Sequence, residues 1–155
     1  MKFSSKEDIE APIEDVFALL SEFETFERSA IRRGIDVQRM TDISTPRAGI
    51  TWHVQFNLRG KKRKLDLVMA EYDRPNTMRI DARSPGLDGY MSLDLLALSQ
   101  KRTRMAVALE LKPKTLSARL LVQSFKLAKS NLTKRFKLRV AEFAKGMEDR
   151  ISRTA

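Results

Sequence analysis

Few side chains in this sequence are equipped for chemistry. His53 is the sole histidine, and there is no cysteine. Thiol nucleophiles, disulfides and Cys/His metal sites are therefore excluded. There is no Gly-x-Ser-x-Gly elbow and no glycine loop that would cradle a phosphate. The carboxylates show no metal-ligand spacing either, so neither a metal nor another cofactor is expected. Two acids remain as candidates for moving a proton. Glu7 shares strand parity with Phe3 and Ile9, and Glu71 shares it with Leu67 and Met69. A carboxyl turned into an apolar interior has a raised pKa and can exchange protons near neutrality. Both also fall near strand ends, where water reaches and a charged carboxylate is at home. That is the expectation here, and no catalytic residue is assigned. His53 and Tyr90 fall on the outward parity of their strands, away from any interior site.

The other conspicuous chemistry is positive charge. Arg59–Lys64 reads RGKKRK, five cations in six residues. Nucleic-acid binders carry such runs, usually beside aromatics that stack on bases. No aromatic lies within residues 57–71, and the run sits where a hairpin must turn. Gly60 supplies a positive φ, and Lys and Arg are natural solvated company for it. The run therefore reads as a solvated turn rather than a nucleic-acid site.

Behind these side chains stands a chain of 155 residues, long enough for one domain over 1–155 that buries a core without staples. Its net charge of +10 is uneven. Residues 1–34 hold five basic and eight acidic residues, and residues 114–155 hold eleven and three. That asymmetry points to an anionic partner for the C-terminal element, or only to solubility. The opening MKFSSKEDIEAP lacks the apolar centre of a signal peptide. No run approaches the roughly 18 apolar residues of a membrane span, so a soluble, cytoplasmic protein is expected.

Periodicity supplies the elements. Phe3–Glu10 alternates as a first strand. Pro12, then Glu14 and Asp15, open a helix whose Ile13, Val16, Phe17 and Leu20 fall on one face. Phe23 and Phe26 begin a second short helix that Gly34 is placed to end. From Ile35 the period is two: strands are predicted at about 35–41, 50–59, 63–72, 77–83, 89–98 and 103–112. Short connections after residue 50 make this an antiparallel meander. After Pro113 the helical period returns. Leu121, Phe125, Ala128, Leu132, Phe136, Val140, Phe143 and Met147 form one stripe, predicting a continuous helix of roughly 35 residues, about 50 Å long.

This order resembles the helix-grip superfamily, which includes START lipid-transfer domains, pollen-allergen-like proteins and aromatic polyketide cyclases (SRPBCC proteins). The resemblance rests on IEAPIEDVFALLSEFETFE near the start, the run of strands, and RFKLRVAEFAKGMEDRI at the end. Many relatives place a Trp early in the second helix, where Phe23 or Phe26 stands here. The resemblance implies an α+β fold: a curved antiparallel sheet of about seven strands wrapped on a long C-terminal helix, with two short helices after strand 1. It also implies a cavity between sheet and helix that holds a small hydrophobic ligand, such as a lipid or a polyketide-like or quinone-like molecule.

Alternation says which side chains would face that space: Trp52, Val54 and Phe56; Leu67 and Met69; Met78 and Ile80; Met91 and Leu93; Met105 and Val107. Phe125, Leu132 and Phe136 of the helix complete the expected ligand-binding set. Four methionines stand on this face, and Met suits either an adaptable pocket or a filled core. An enzyme of cyclase or dehydratase type using the same cavity is the alternative. On the far side of the long helix, Leu116, Leu120, Leu127 and Leu138 lie among Arg119, Lys126, Lys134, Lys137 and Lys145. Leu127, Lys134, Leu138 and Lys145 are the expected contacts if this side meets an anionic membrane. Scattered surface leucines, or a homodimer contact, are the alternatives.

Overall fold

The first strand stops at Ile9, and Pro12 opens the first helix. The computed structural model describes residues 1–41 and 45–154. In it β1 (Lys2–Ile9) leads to α1 (Ile13–Leu20) and α2 (Phe23–Arg32). Pro12 is the N-cap of α1 rather than its first helical residue, and its carbonyl accepts from the Val16 N–H at 3.1 Å. Val16, Phe17 and Leu20 are the buried face of α1, at the spacing the sequence sets. α2 closes on Gly34 with φ +86°, where the Ile35 N–H reaches back to the Ala30 carbonyl at 3.0 Å. Only glycine takes that φ without strain.

The remaining strands are β2 (Asp36–Arg39), β3 (Thr51–Leu58), β4 (Lys61–Asp73), β5 (Thr77–Arg83), β6 (Leu87–Ser99) and β7 (Arg102–Pro113). They form one seven-stranded sheet in the order β1-β7-β6-β5-β4-β3-β2, each pair antiparallel. The meander thus runs from β2 to β7, and β1 closes beside β7. β3 and β4 are joined by Arg59 (φ 52°) and Gly60 (φ 74°), both positive, which is the geometry of a two-residue type I′ hairpin.

The C-terminal segment departs from expectation. It is two helices, α3 (Leu116–Leu127) and α4 (Lys129–Thr154), meeting at Ala128. Thr115 caps α3 by accepting from the Ala118 N–H at 3.2 Å. Between Phe125 and Leu132 the chain reads KLAKSN, with only Ala128 and Lys129 at the stripe positions. No large apolar side chain there holds the two halves in one line. α4 packs along β1, and α3 lies against β7. In α4 the buried residues are Val140, Ala144 and Met147. Ala128 and Phe143, both assigned to the core stripe by sequence, are exposed. Phe143 instead meets Phe26, ring centroids 5.7 Å apart.

Candidate functional site

Register fixes the concave face. Side chains opposite one another on antiparallel strands share a face. One row therefore runs Trp52, Leu67, Ala82, Gly89, Leu111, and the next runs Met69, Ile80, Met91, Leu109, Phe3. A third runs Tyr72, Met78, Leu93, Val107, Ser5. This face carries every strand residue of the expected ligand-binding set.

The two ends of the face differ. Trp52, Val54, Met69, Met78, Met105 and Val107 are buried in one cluster with Val140, Ala144 and Met147 of α4. Met69 and Met105 are wholly inaccessible. Three of the four inward methionines thus fill core, as flexible side chains do when they take up irregular gaps. Toward the other end Phe56, Leu67, Ile80 and Met91 are only half-buried, as are Leu93 between Met78 and Val107 and Phe136 of α4 against Phe3, all packed against that cluster. Phe125 and Leu132 are half-buried but stand apart from it. The face is therefore closed by core at one end and half-covered at the other.

α3 spans the half-covered end. At its N-terminus Thr115 and Ala118 sit against Gly86, 3.2 and 3.6 Å from where a Cβ would stand. Near its C-terminus the Phe125 ring lies under the Arg59 guanidinium, 5.2 Å from the centroid. The basic turn is thus more than solvated: its first residue makes a cation–π contact that joins the β3–β4 tip to α3.

Alternation inside that turn has a further result. Arg63 pairs with Phe56, so it points to the concave face, in line with Leu65. It is half-buried, and its Nε is inaccessible without a hydrogen-bond partner. A buried donor left unpaired costs roughly 1–3 kcal/mol. Arg63 escapes a sequence reading that treats RGKKRK as one block; its parity with Leu65 is the available signal.

A second inward arginine is served differently. Arg39 pairs with Trp52 across the β2–β3 ladder. Its Nε and Nη2 donate to Glu27 of α2 at 2.8 and 2.6 Å. The Trp52 Nε1–H donates to the same carboxylate at 2.7 Å. Burial pushes the Glu27 carboxyl up, but the hydrogen bonds from Arg39 and Trp52 outweigh it and hold the pKa below the ordinary value. Phe23 stands edge-on to Trp52, centroids 5.7 Å apart. A chain separation of 25 residues hides the Glu27–Trp52 bond from sequence reading.

The two candidate acids part company. Glu7 faces inward opposite Met105 but remains partly accessible, beside an open hollow. Glu71 is exposed to water, as expected, but is turned outward, against its strand parity. A β-bulge at Ala70 shifts register between Met69 and Glu71, pairing Glu71 with Arg79 and turning Tyr72 in. The Tyr72 hydroxyl meets Ser21 Oγ at 2.7 Å, and its ring packs on Phe17 at 5.2 Å. His53 is outward as expected, its Nδ1 2.8 Å from Asp66. Tyr90 is outward too, under the Arg79 guanidinium at 4.1 Å.

Two hollows stand out among the described residues, and both are open. The larger, about 470 Å³, lies by Ser4, Lys6, Ser92 and Asp94, and of the expected ligand set only Val107 reaches it. The smaller, about 260 Å³, lies between Ser21–Arg28 and Arg39. Neither is an enclosed chamber under α4. The outer leucines are exposed: Leu116 by 73%, Leu120 by 62%, Leu127 by 92% and Leu138 by 58%. Lys134 makes no ion pair among the described residues, whereas Lys145 is held by Glu148 and Asp149 at 3.4 and 3.3 Å. No helix among the described residues is long and apolar enough to cross a membrane.

No family model matches the sequence, and no curated protein matches it. Solved structures do. A protein of Thermus thermophilus superposes with a TM-score of 0.66 at 17% identity, over 100% of this chain and 99% of that one. A START superfamily protein from Mycobacterium smegmatis gives 0.54 at 12% identity, over 86% and 95%. The Zhui aromatase/cyclase from Streptomyces sp. R1128 gives 0.59 at 10% identity, over 86% and 88%. At these identities the likeness is one of architecture, the sheet and helices described above. The chain has the helix-grip fold.

Proposed function

We propose that the half-covered end of the concave face binds a small apolar molecule, lipid-like or aromatic. The observation that carries this reading is the incomplete cover over Phe56, Leu67, Ile80, Met91 and Phe136. All are apolar, the four strand residues facing the helices and Phe136 facing the sheet from α4, and all keep part of their surface accessible although a filled core lies beside them. The likeness to a START superfamily protein and an aromatase/cyclase supports a ligand-holding role for the same face. Binding would work by burial: withdrawing about 300 Å² of apolar ligand surface from water is worth about 7 kcal/mol before the costs of association. No residue is assigned a catalytic part: Glu71 faces water, and Glu7 stands at an open hollow. The test is native mass spectrometry of freshly purified protein, followed by solvent extraction. A small lipophile that travels with the chain and is released into solvent is expected. A bare chain, with no retention across a panel of lipophiles, overturns the reading.

A separate observation favours a surface role for α3. Leu116, Leu120 and Leu127 fall within about 40° of one another on the helix and are all exposed. Arg119 and Lys126 beside them make no ion pair among the described residues, and no acid occurs from residue 111 to residue 141. The Arg59–Phe125 contact holds the hairpin against the opposite side of this helix, so Lys61 and Lys62 are not part of the leucine face. We infer that this face rests on anionic lipid, with leucines in the acyl boundary and cations at the headgroups. Lys145, engaged within α4, does not belong to it. Co-sedimentation with phosphatidylcholine vesicles, with and without phosphatidylserine, is the test. Retention is expected only with phosphatidylserine, weakened by salt and lost in a Leu120→Ser/Leu127→Ser variant. A leucine variant retained like the unmodified protein overturns it.

A further inference from the structure

We propose that the molecule held at the open end carries an anionic head, a carboxylate, and that Arg63 receives it. This rests on the reading of the concave face as a site for an apolar guest, and adds the guest's chemical class. Two arginines project onto this face, Arg39 and Arg63. The protein supplies Arg39 with an internal carboxylate, Glu27, at 2.6 and 2.8 Å. The Arg63 side chain has no ion pair and no hydrogen bond among the described residues, and its Nε is sealed from water.

The surroundings narrow what could pair with it. Phe56 lies directly across the ladder and Leu65 two residues along, both packed at the rim of the core. Lys62 and Lys64, of opposite parity, are exposed and free to meet solvent anions, while Arg63 is half-withdrawn among apolar side chains. The part of the guanidinium still open to an anion is its Nη groups, on the side of the concave face, where an apolar body would carry one. The two Nη donors of a guanidinium match the two oxygens of one carboxylate, and that pairing is strongest where water is scarce. A fatty or aryl carboxylic acid satisfies both conditions: its body covers the half-exposed apolar surface, and its head completes Arg63.

The experiment is isothermal titration calorimetry with dodecanoate and with 1-dodecanol, which share one apolar body, at about pH 8, where the acid is ionised. Dodecanoate is expected to bind about ten- to a hundredfold more tightly than dodecanol. In Arg63→Gln that preference disappears while dodecanol affinity is kept, and Arg63→Lys keeps part of it. A readout without ligand accompanies these: Arg63→Met removes an unpaired, half-buried cation and is expected to raise the melting temperature by about 2–4 °C. Equal binding of acid and alcohol by the unmodified protein overturns the carboxylate assignment and leaves the apolar guest standing. Arg63→Gln weakening both ligands alike, with a lowered melting temperature, makes Arg63 a structural residue and overturns it too. Binding of neither ligand overturns this inference together with the reading on which it rests.

Discussion

Glu27 is the residue on which the open edge of the sheet is anchored. Its carboxylate takes two hydrogen bonds from Arg39 and one from Trp52. Its folded pKa lies below the ordinary 4.5. It therefore contributes stability that is fully present above that value and drains away as pH falls through the folded pKa. Glu27→Gln should lower stability near neutrality by about 1–2 kcal/mol. It should also flatten the fall in melting temperature from about pH 5 to pH 3, which thermal melts across that range would measure. A variant whose acid limb is as steep as that of the unmodified protein would refute this role. At this scale the sequence is legible in part. The outward His53 and Tyr90 and the inward apolar set follow from parity alone. Glu27 and Tyr72 do not, because their partners Trp52 and Ser21 are distant in sequence and met through tertiary packing.

At the scale of elements, one inserted residue decides which acid sees the interior. The bulge at Ala70 leaves β4 continuous to the eye of a pattern reader yet exchanges Glu71 for Tyr72 on the concave face. The sequence does carry a sign of the insertion: the apolar phase moves from Leu65, Leu67 and Met69 to Tyr72, with Glu71 and Asp73 polar, a slip that strict parity ignores. The joint at Ala128 is readable in a weaker sense: KLAKSN interrupts the apolar stripe, but helix-forming residues on both sides mask the break. Glycines show the same dependence on context. A Cβ on Gly89 would stand 2.6 Å from the Glu110 carbonyl oxygen, backbone that cannot move aside without disturbing the β6–β7 ladder. Gly146, inside α4, would meet nothing within 4 Å. Gly89→Ala should therefore cost about 1–3 kcal/mol. Gly146→Ala should stabilise by about 0.5–1 kcal/mol through helix propensity alone. Urea midpoints of the two variants should move in opposite directions, and a shared direction would contradict the geometry.

For the molecule as a whole, strand order and helix placement are legible because periodicity switches cleanly from 3.6 to 2 and back. What the pattern cannot tell is how the interior divides. Alternation marks a residue as inward whether it meets a helix, a ligand or water. Met69 and Met91 sit side by side on one row across β5, yet one is core and the other rim. That difference is set by tertiary packing, which joins Met69 to the core and leaves Met91 at its border, and no strand encodes it. The charges divide too. The acidic N-terminal segment supplies Glu22 to Arg150 and Glu10 to Arg102, while the cations of α3 and the β3–β4 turn have no acidic partner among the described residues, Arg59 resting on the Phe125 ring.

The hydrogen bond from the Trp52 indole has one more consequence. Trp52 is the only tryptophan of the chain, and its N–H is committed to a charged carboxylate rather than to water. Indole emission depends on the electric field along the ring, so its wavelength is set largely by Glu27 and Arg39. The edge of the grip thus carries a native optical gauge. Protonation of that acid, or a guest crowding Phe23 and Leu67, would change its colour without any label being attached.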